Sequence, residues 1–216
     1  MRKNRILTGL LLLLAGGLTL SSCTKNDDST IVLIGTEYYI DDILSVIPDT
    51  LQTQFLEAFG EIPEGAVPPN IEGSYLVEPK TRVATNVDGW PLSVIERNTG
   101  LRFATQHNGI VVMDLYEATD RVTDTVFVMG NGNKFTVYFI EDKSYEMPLL
   151  DQTYHVHMER GIIIRGQVTA NGIADFRLAT IIMKTEDDSD GVLSQYAPGS
   201  YFIYKDGDGI AAISEW

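Results

Sequence analysis

The sequence predicts a mainly β fold: an antiparallel meander closing as a barrel or a sandwich, with two short amino-terminal helices packed on it. Three observations predict it. Beyond about residue 70, short runs of alternating apolar and polar residues follow one another closely. Asn-Gly and Asp-Gly dipeptides, which tolerate the positive φ of tight hairpin turns, punctuate them. No run of helical period intervenes between them, so neighbours in sequence are expected to be neighbours in the sheet. About ten strands leave edges that must be hidden, and closure or two packed sheets hides them.

The chain begins with a different kind of segment. Arg2, Lys3 and Arg5 form a positive end, and Ile6 to Leu20 is leucine-rich and apolar, interrupted by Thr8, Gly9, Gly16, Gly17 and Thr19. This is the pattern of a secretory signal peptide. The apolar run is roughly 15 residues, shorter than the about 20 that a spanning helix needs. Small residues, Ser21 and Ser22, then precede Cys23, the only cysteine in the chain. Leu20-Ser21-Ser22-Cys23 resembles the lipobox of bacterial lipoproteins. The resemblance implies that residues 1–22 are removed, that the Cys23 thiol carries a diacylglycerol and that the new amino terminus is acylated. At least two acyl chains make an anchoring stable, at about 0.8 kcal/mol per buried methylene. Thr24-Lys25-Asn26-Asp27-Asp28-Ser29 reads as a solvated tether, and it looks like the export signal of Bacteroidota surface lipoproteins. Residues 23–36 are thus expected to be a lipidated tether, and the location to be the cell envelope, anchored at the outer membrane and facing the cell surface.

Without residues 1–22 the chain keeps 194 of its 216 residues, 13 Lys/Arg against 30 Asp/Glu, and a net charge of −17. That suits one domain, 37–216, opening with a helical segment over 37–60. The acidity disfavours nucleic acid, whose affinity comes largely from cationic contacts to phosphate. With Cys23 acylated there is no internal disulfide, so the core must supply stability.

Ile31-Val32-Leu33-Ile34 is a short apolar run. Tyr39, Ile40, Ile43, Leu44 and Ile47 recur at helical spacing, with Asp41 and Asp42 on the other side. Pro48 stops that helix. Asp49 is expected to cap a second one, with Leu51, Phe55, Leu56 and Phe59 on one face and Gly60 as terminator. Both stripes are expected to pack on the domain; the alternative is that they dock a partner. Three prolines and a glycine between Glu61 and Asn70 make an irregular connector.

Strands are then expected over Ser74–Val77, Arg82–Val87, Ser93–Arg97, Leu101–Gln106, Ile110–Tyr116, Thr123–Val128, Lys134–Ile140 and Thr153–Glu159. Ile162–Thr169, Ile173–Lys184, Ser200–Tyr204 and Ile210–Ser214 complete the set. Asn108-Gly109, Asn131-Gly132, Asn171-Gly172 and Asp206-Gly207-Asp208-Gly209 supply turns. Phe135, Val137 and Phe139 share one face, as do Ile162, Ile164 and Val168, and Phe176, Leu178 and Ile182.

A helix, an irregular lead and then Gly73-Ser74-Tyr75 opening a meander resembles the lipocalin-like (calycin) barrel, whose first strand begins Gly-x-Trp. Here Tyr75 stands where Trp is usual, and the closing helix of that family is replaced by Ile210 to Trp216. The resemblance implies an interior that could carry a small apolar ligand, although barrels of about eight strands can equally be filled by their own side chains.

Chemistry-bearing residues are sparse. His155 and His157 alternate on a strand, and a metal site there would need His107 or an acid as a third ligand. Glu186-Asp187-Asp188-Ser189-Asp190-Gly191 resembles the first half of an EF-hand loop, which makes Asp188 and Asp190 candidates for calcium. The twelfth position is Ala197 rather than Glu. A polar sheet face and acidic surface turns explain these stretches without a metal. No Gly-x-Ser-x-Gly, dinucleotide or phosphate-loop motif occurs, and none of the many carboxylates stands out as a catalytic pair. Trp90, Tyr116, Tyr138, Tyr196 and Trp216 could form a carbohydrate platform. The sequence therefore predicts a non-catalytic, lipid-anchored envelope protein that binds a ligand or a partner. The alternatives are an accessory subunit of an envelope complex docking through the helices, and a carboxylate-dependent hydrolase.

Overall fold

Alternation of apolar and polar residues produces ten strands and two helices in the computed structural model, which describes residues 38–117, 120–149, 152–186 and 196–215. Residues 1–37, with the leader, Cys23, the tether and Ile31–Ile34, lie outside the described residues, as do Asp188, Asp190 and Trp216. All described residues belong to one compact unit.

The helices are α1, Tyr38–Ser45, and α2, Asp49–Phe59. The strands are β1 Gly73–Val77, β2 Lys80–Thr85, β3 Thr99–His107, β4 Ile110–Glu117 and β5 Asp120–Asn131. They continue with β6 Lys134–Leu149, β7 Gln152–Thr169, β8 Gly172–Glu186, β9 Tyr201–Asp206 and β10 Ile210–Ile213. All named pairings are antiparallel. β3 to β8 form the expected meander, each strand pairing with the next. β1 joins β3 to β10, and β10 returns to β8, so eight strands close into a ring. β9 and β2 extend from β8 as a two-stranded flap.

Three expectations are corrected. Ser93–Arg97 is no strand: Ser93 has φ 58, and the segment is held by an isolated bridge between Thr81 and Ile95 and by hydrogen bonds to Arg82 and Lys80. The runs around 153–159 and 162–169 are one strand, because Gly161 does not break pairing with either neighbour. There, close approach replaces turn formation: a Cβ on Gly161 would run into Ile43 of α1. The turn dipeptides are displaced by one residue in two hairpins. Only Asn108-Gly109 shows positive φ at both positions, whereas Asn131 and Gly172 serve as strand ends opposite Lys134 and Thr169.

Alternation sorts the buried side chains into two cores. Inside the ring, Tyr75, Leu101, Phe103, Met113, Val126, Phe135, Val137, Ile164, Phe176, Leu178 and their neighbours form a continuous apolar cluster. Phe103 meets Phe135 edge-on at 6.4 Å between ring centres. The second core lies on the outer face of β6 to β9, where Ile40, Ile43, Ile47, Phe55 and Phe59 of the helical segment cover Tyr138, Ile163, Ala179, Ile181, Tyr201 and Ile203. The helices thus pack on the sheet as the sequence predicts. Two details differ. Pro48 rather than Asp49 occupies the N-cap, its carbonyl accepting from the amides of Leu51 and Gln52. Leu56 points outward, 46% exposed. Gly60 ends α2 at φ 89, donating its amide to the Leu56 carbonyl. No helix among the described residues is long and apolar enough to cross a membrane.

Candidate functional site: the charged mouth of the ring

The inner face changes character along the strands. The apolar core fills one end; at the other, the ring comes apart in two places. β5 pairs with β6 only from Phe127 to Asn131, so Ile140 to Leu149 of β6 pair with β7 alone. β8 gives its first residues, Gly172 to Ala174, to β10 and its later ones, Arg177 to Ile181, to β9. The change of partner occurs around Asp175, whose positive φ of 50 marks an irregularity in the β7–β8 register. The flap β9–β2 therefore continues the inner surface past the ring instead of closing it.

Strand parity then dictates which side chains line this mouth. Glu117 follows Leu115 by two residues, Glu141 follows Phe139, and Arg160 precedes Ile162, so each continues an inward-facing row beyond its last apolar member. Register places Arg160 opposite Glu141 and Ile182, and Thr180 opposite Ile162 and Phe202. On the flap, Arg82 lies opposite Tyr204 and Lys80 opposite Asp206. The result is a cavity of about 270 Å³ lined by Lys80, Glu117, Arg160, Thr180, Met158, Leu178 and Ile182. Trp90, Tyr196, Phe202 and Tyr204 complete the lining, with Phe202 and Tyr204 beside Thr180 and Leu178 across the β8–β9 pairing. A smaller cavity of about 120 Å³ shares Glu117, Arg160, Leu178 and Thr180 with it and reaches Val122, Glu141 and Lys143 at the β5–β6 split.

Burying charge is costly unless it is paired and hydrogen-bonded, and the buried cations of the mouth are paired, although Arg82 Nε is left without a hydrogen-bond partner. Lys80, only 6% exposed, donates to Glu117 Oε1, and its ammonium also lies 5.0 Å from the centre of the Tyr204 ring. Thr99 donates its hydroxyl to the same Glu117 oxygen at 3.0 Å. Arg160 donates through Nε and Nη2 to Glu141 Oε2. Arg82, 4% exposed, pairs with Glu96, donates to the Pro91 carbonyl at 3.1 Å and stacks 4.6 Å from the Trp90 ring. The 93–96 segment thus serves to hold β2 and its arginine in place. Trp90 contacts Phe202 at 5.2 Å and Tyr196 at 5.9 Å, completing an aromatic wall.

These neighbours set the ionisation. Burial pushes the Glu117 carboxyl up, but Lys80, Thr99 and Arg160 together outweigh it and hold the group below the usual glutamate range. Burial raises Tyr196 and Tyr204, and Arg82 opposes it in both. At the base of the flap Asp206 is pushed up to about 6, by burial first and then by its hydrogen bond with Asp208; backbone amides of Glu78 and Asp208 act the other way.

The residues singled out by sequence are distributed unevenly. Trp90 and Tyr196 do come together, with Phe202 added. Tyr138 belongs to the outer core beside Phe127, and Tyr116 lies under the Arg121 guanidinium, so the five aromatics do not form one platform. His157 pairs with Asp142 at 2.7 Å and faces the Ser144 hydroxyl at 3.3 Å. His155 lies on β7, and its side chain is outside the described set. His107 contacts Asn108. Among the described residues no group of three His, Cys, Asp or Glu side chains is placed to hold a metal. Lys80, Arg82, Glu117, Glu141 and Arg160 were not singled out by sequence; the signal that could have found them is a charge at an inward position of an alternating strand.

A larger groove of about 600 Å³ lies on the outer face, between α1 and β5–β6, with Asp41 and Glu64 as its charged lining. The mouth, with its paired buried charges and aromatic wall, is the more specific candidate. Comparison of the chain with protein-family models, curated proteins and solved structures finds no match.

Proposed function

We propose that this chain is a lipid-anchored lipoprotein of the cell envelope whose β domain, a barrel with a filled interior, is a non-catalytic binding module with its ligand site at the mouth. The observation that carries the site is the cavity of about 270 Å³, whose lining combines aromatic rings with fixed, paired charges. Phe103, Phe135, Phe176 and Met113 belong to the inner core, which favours a ligand at the mouth over a long one threaded through the ring. The described helical stripes are spent on the outer core, which weakens the case for docking through α1 and α2. Glu117 and Glu141 each hold a cation, an arrangement for positioning and charge balance rather than proton transfer.

The anchor rests on Leu20-Ser21-Ser22-Cys23 and is tested by Cys23→Ala: the variant is expected to move from the membrane to the soluble fraction. Persistence in salt-washed membranes would remove the lipid from the proposal. The site is tested by native mass spectrometry of the full chain extracted from its own membranes, beside Thr180→Trp, which fills the cavity. A small-molecule adduct on the parent that is lost in the variant supports a mouth site; an adduct carried equally by both places the ligand elsewhere.

A further inference from the structure

We infer that the mouth takes a single neutral, hydroxylated ring, the size of one sugar residue; the inference rests on the mouth being the ligand site and names the class of ligand it selects. Size comes first. At about 270 Å³ the cavity falls just below the usual 300–1,000 Å³ of small-molecule sites, which suits one ring and not a long acyl chain.

Charge comes second. The deepest cations are already paired, Lys80 with Glu117 and Arg160 with Glu141. A ligand carrying net charge would either break up an existing ion pair or add an uncompensated charge in a partly desolvated setting. A neutral ligand has no such cost.

Hydrogen-bonding capacity comes third. Glu117 uses one oxygen, Oε1, for both Lys80 and Thr99, and a carboxylate has about four acceptor positions in all. Its Oε2 has no protein hydrogen bond among the described residues, and neither has the Thr180 hydroxyl. Both residues line the cavity, one offering an acceptor and the other a donor and acceptor. Ligand hydroxyls satisfy that set. In the same lining, the rings of Trp90, Tyr196, Phe202 and Tyr204 present apolar surface to the C–H bonds of such a ring, so polar edge and apolar face are both accommodated.

The chain contains two tryptophans, so Trp216→Phe leaves Trp90 as the sole indole reporter, inside the site. The full-length Trp216→Phe protein is titrated with D-glucose, D-galactose, D-mannose, N-acetylglucosamine and a β-linked disaccharide, and in parallel with sodium hexanoate and tetramethylammonium. The expected result is a saturable change in Trp90 emission with a neutral sugar, weakened at least tenfold by Thr180→Val and by Glu117→Gln, with thermal unfolding checked on each variant. Tighter binding of the disaccharide than of its monosaccharide assigns the ring to the terminal residue of a glycan; equal binding assigns it to a free sugar. If hexanoate or tetramethylammonium saturates the signal and no sugar does, the mouth stands as a site and the neutral class is overturned. Sugar binding indifferent to Thr180→Val overturns the assigned contacts. Silence from every probe overturns the ligand class and removes the support for a mouth site together.

Discussion

The two ends of the inner face are built on the same strands by the same alternation, yet they solve opposite problems. At the closed end the buried inward side chains form an apolar cluster, and Tyr75, Phe103 and Phe135 fill the ring through edge-on and tilted contacts. At the mouth the same rows run on into Glu117, Glu141 and Arg160, and the flap contributes Lys80 and Arg82. The closed end gains from excluding water; the mouth keeps ions in place by giving each a partner. The difference teaches that stability and recognition are separated along the strand axis, with stability concentrated where the ring is fully paired.

The sharpest way to break that contrast is to truncate one side chain at each end. Phe135→Ala removes a fully buried ring from the closed end, and large-to-small changes of this kind cost about 3–5 kcal/mol. Urea unfolding is expected to show that loss in midpoint; a loss under about 1 kcal/mol would mean the interior is loosely packed. Lys80→Met at the mouth leaves Glu117 without its cation. Breaking a fully buried pair costs about 3–5 kcal/mol, but the Glu117 side chain is 42% exposed, so about 1–2 kcal/mol is expected. Adding Glu117→Gln to Lys80→Met is expected to recover most of it, since no charge then stands alone. If the double variant is as unstable as the single one, Lys80 matters for its packing against Tyr204 instead.

How much of this was legible in the sequence follows from the same contrast. Period-2 alternation exposed β3, β4, β6 and β8 and the inward rows of Phe135, Ile162 and Leu178, because most inward positions of those strands are apolar until the mouth is reached. The helical stripe of Ile40, Ile43, Ile47, Phe55 and Phe59 was equally plain, since one face of each helix meets the sheet. Ring closure through β10 and the displacement of β2 to β9 were not legible: pairing of segments more than a hundred residues apart leaves no local pattern. The mouth was hidden for a different reason. Arg160 and Glu141 look like ordinary solvated strand residues until register sets them opposite one another. The His155–His157 and Asp188–Asp190 patterns drew notice because metal motifs are local, whereas an ion pair across strands is not.

A pH series separates the flap from the remainder of the mouth. Asp206 has its carboxyl pushed up to about 6 in the folded chain, against about 3.9 when unfolded. The folded state therefore binds its proton more tightly, so this contribution is present in full below about pH 4 and is lost as pH rises through about 6. Glu117 and Asp114 are shifted downward and act with the opposite sign, their contribution failing below about pH 4. Unfolding free energy is expected to fall by about 1–2 kcal/mol between pH 5 and 7 through Asp206, and Asp206→Asn is expected to flatten that interval. An unchanged slope in the variant would place the titration elsewhere.

The smallest effect on stability is expected from Thr180→Val, and that is its value. Thr180 sits between Ile162 and Phe202 in register, is half-buried, and its hydroxyl holds no other part of the described fold. Valine preserves the branched shape a strand prefers, so the unfolding midpoint is expected to correspond to a change within about 0.5 kcal/mol. A loss above about 1.5 kcal/mol would show the hydroxyl to be structural and would tie the mouth to the stability of the ring. A near-neutral result joined to weakened sugar binding would separate the two ends of the inner face: one can then be altered in what it binds while the other goes on holding the strands together.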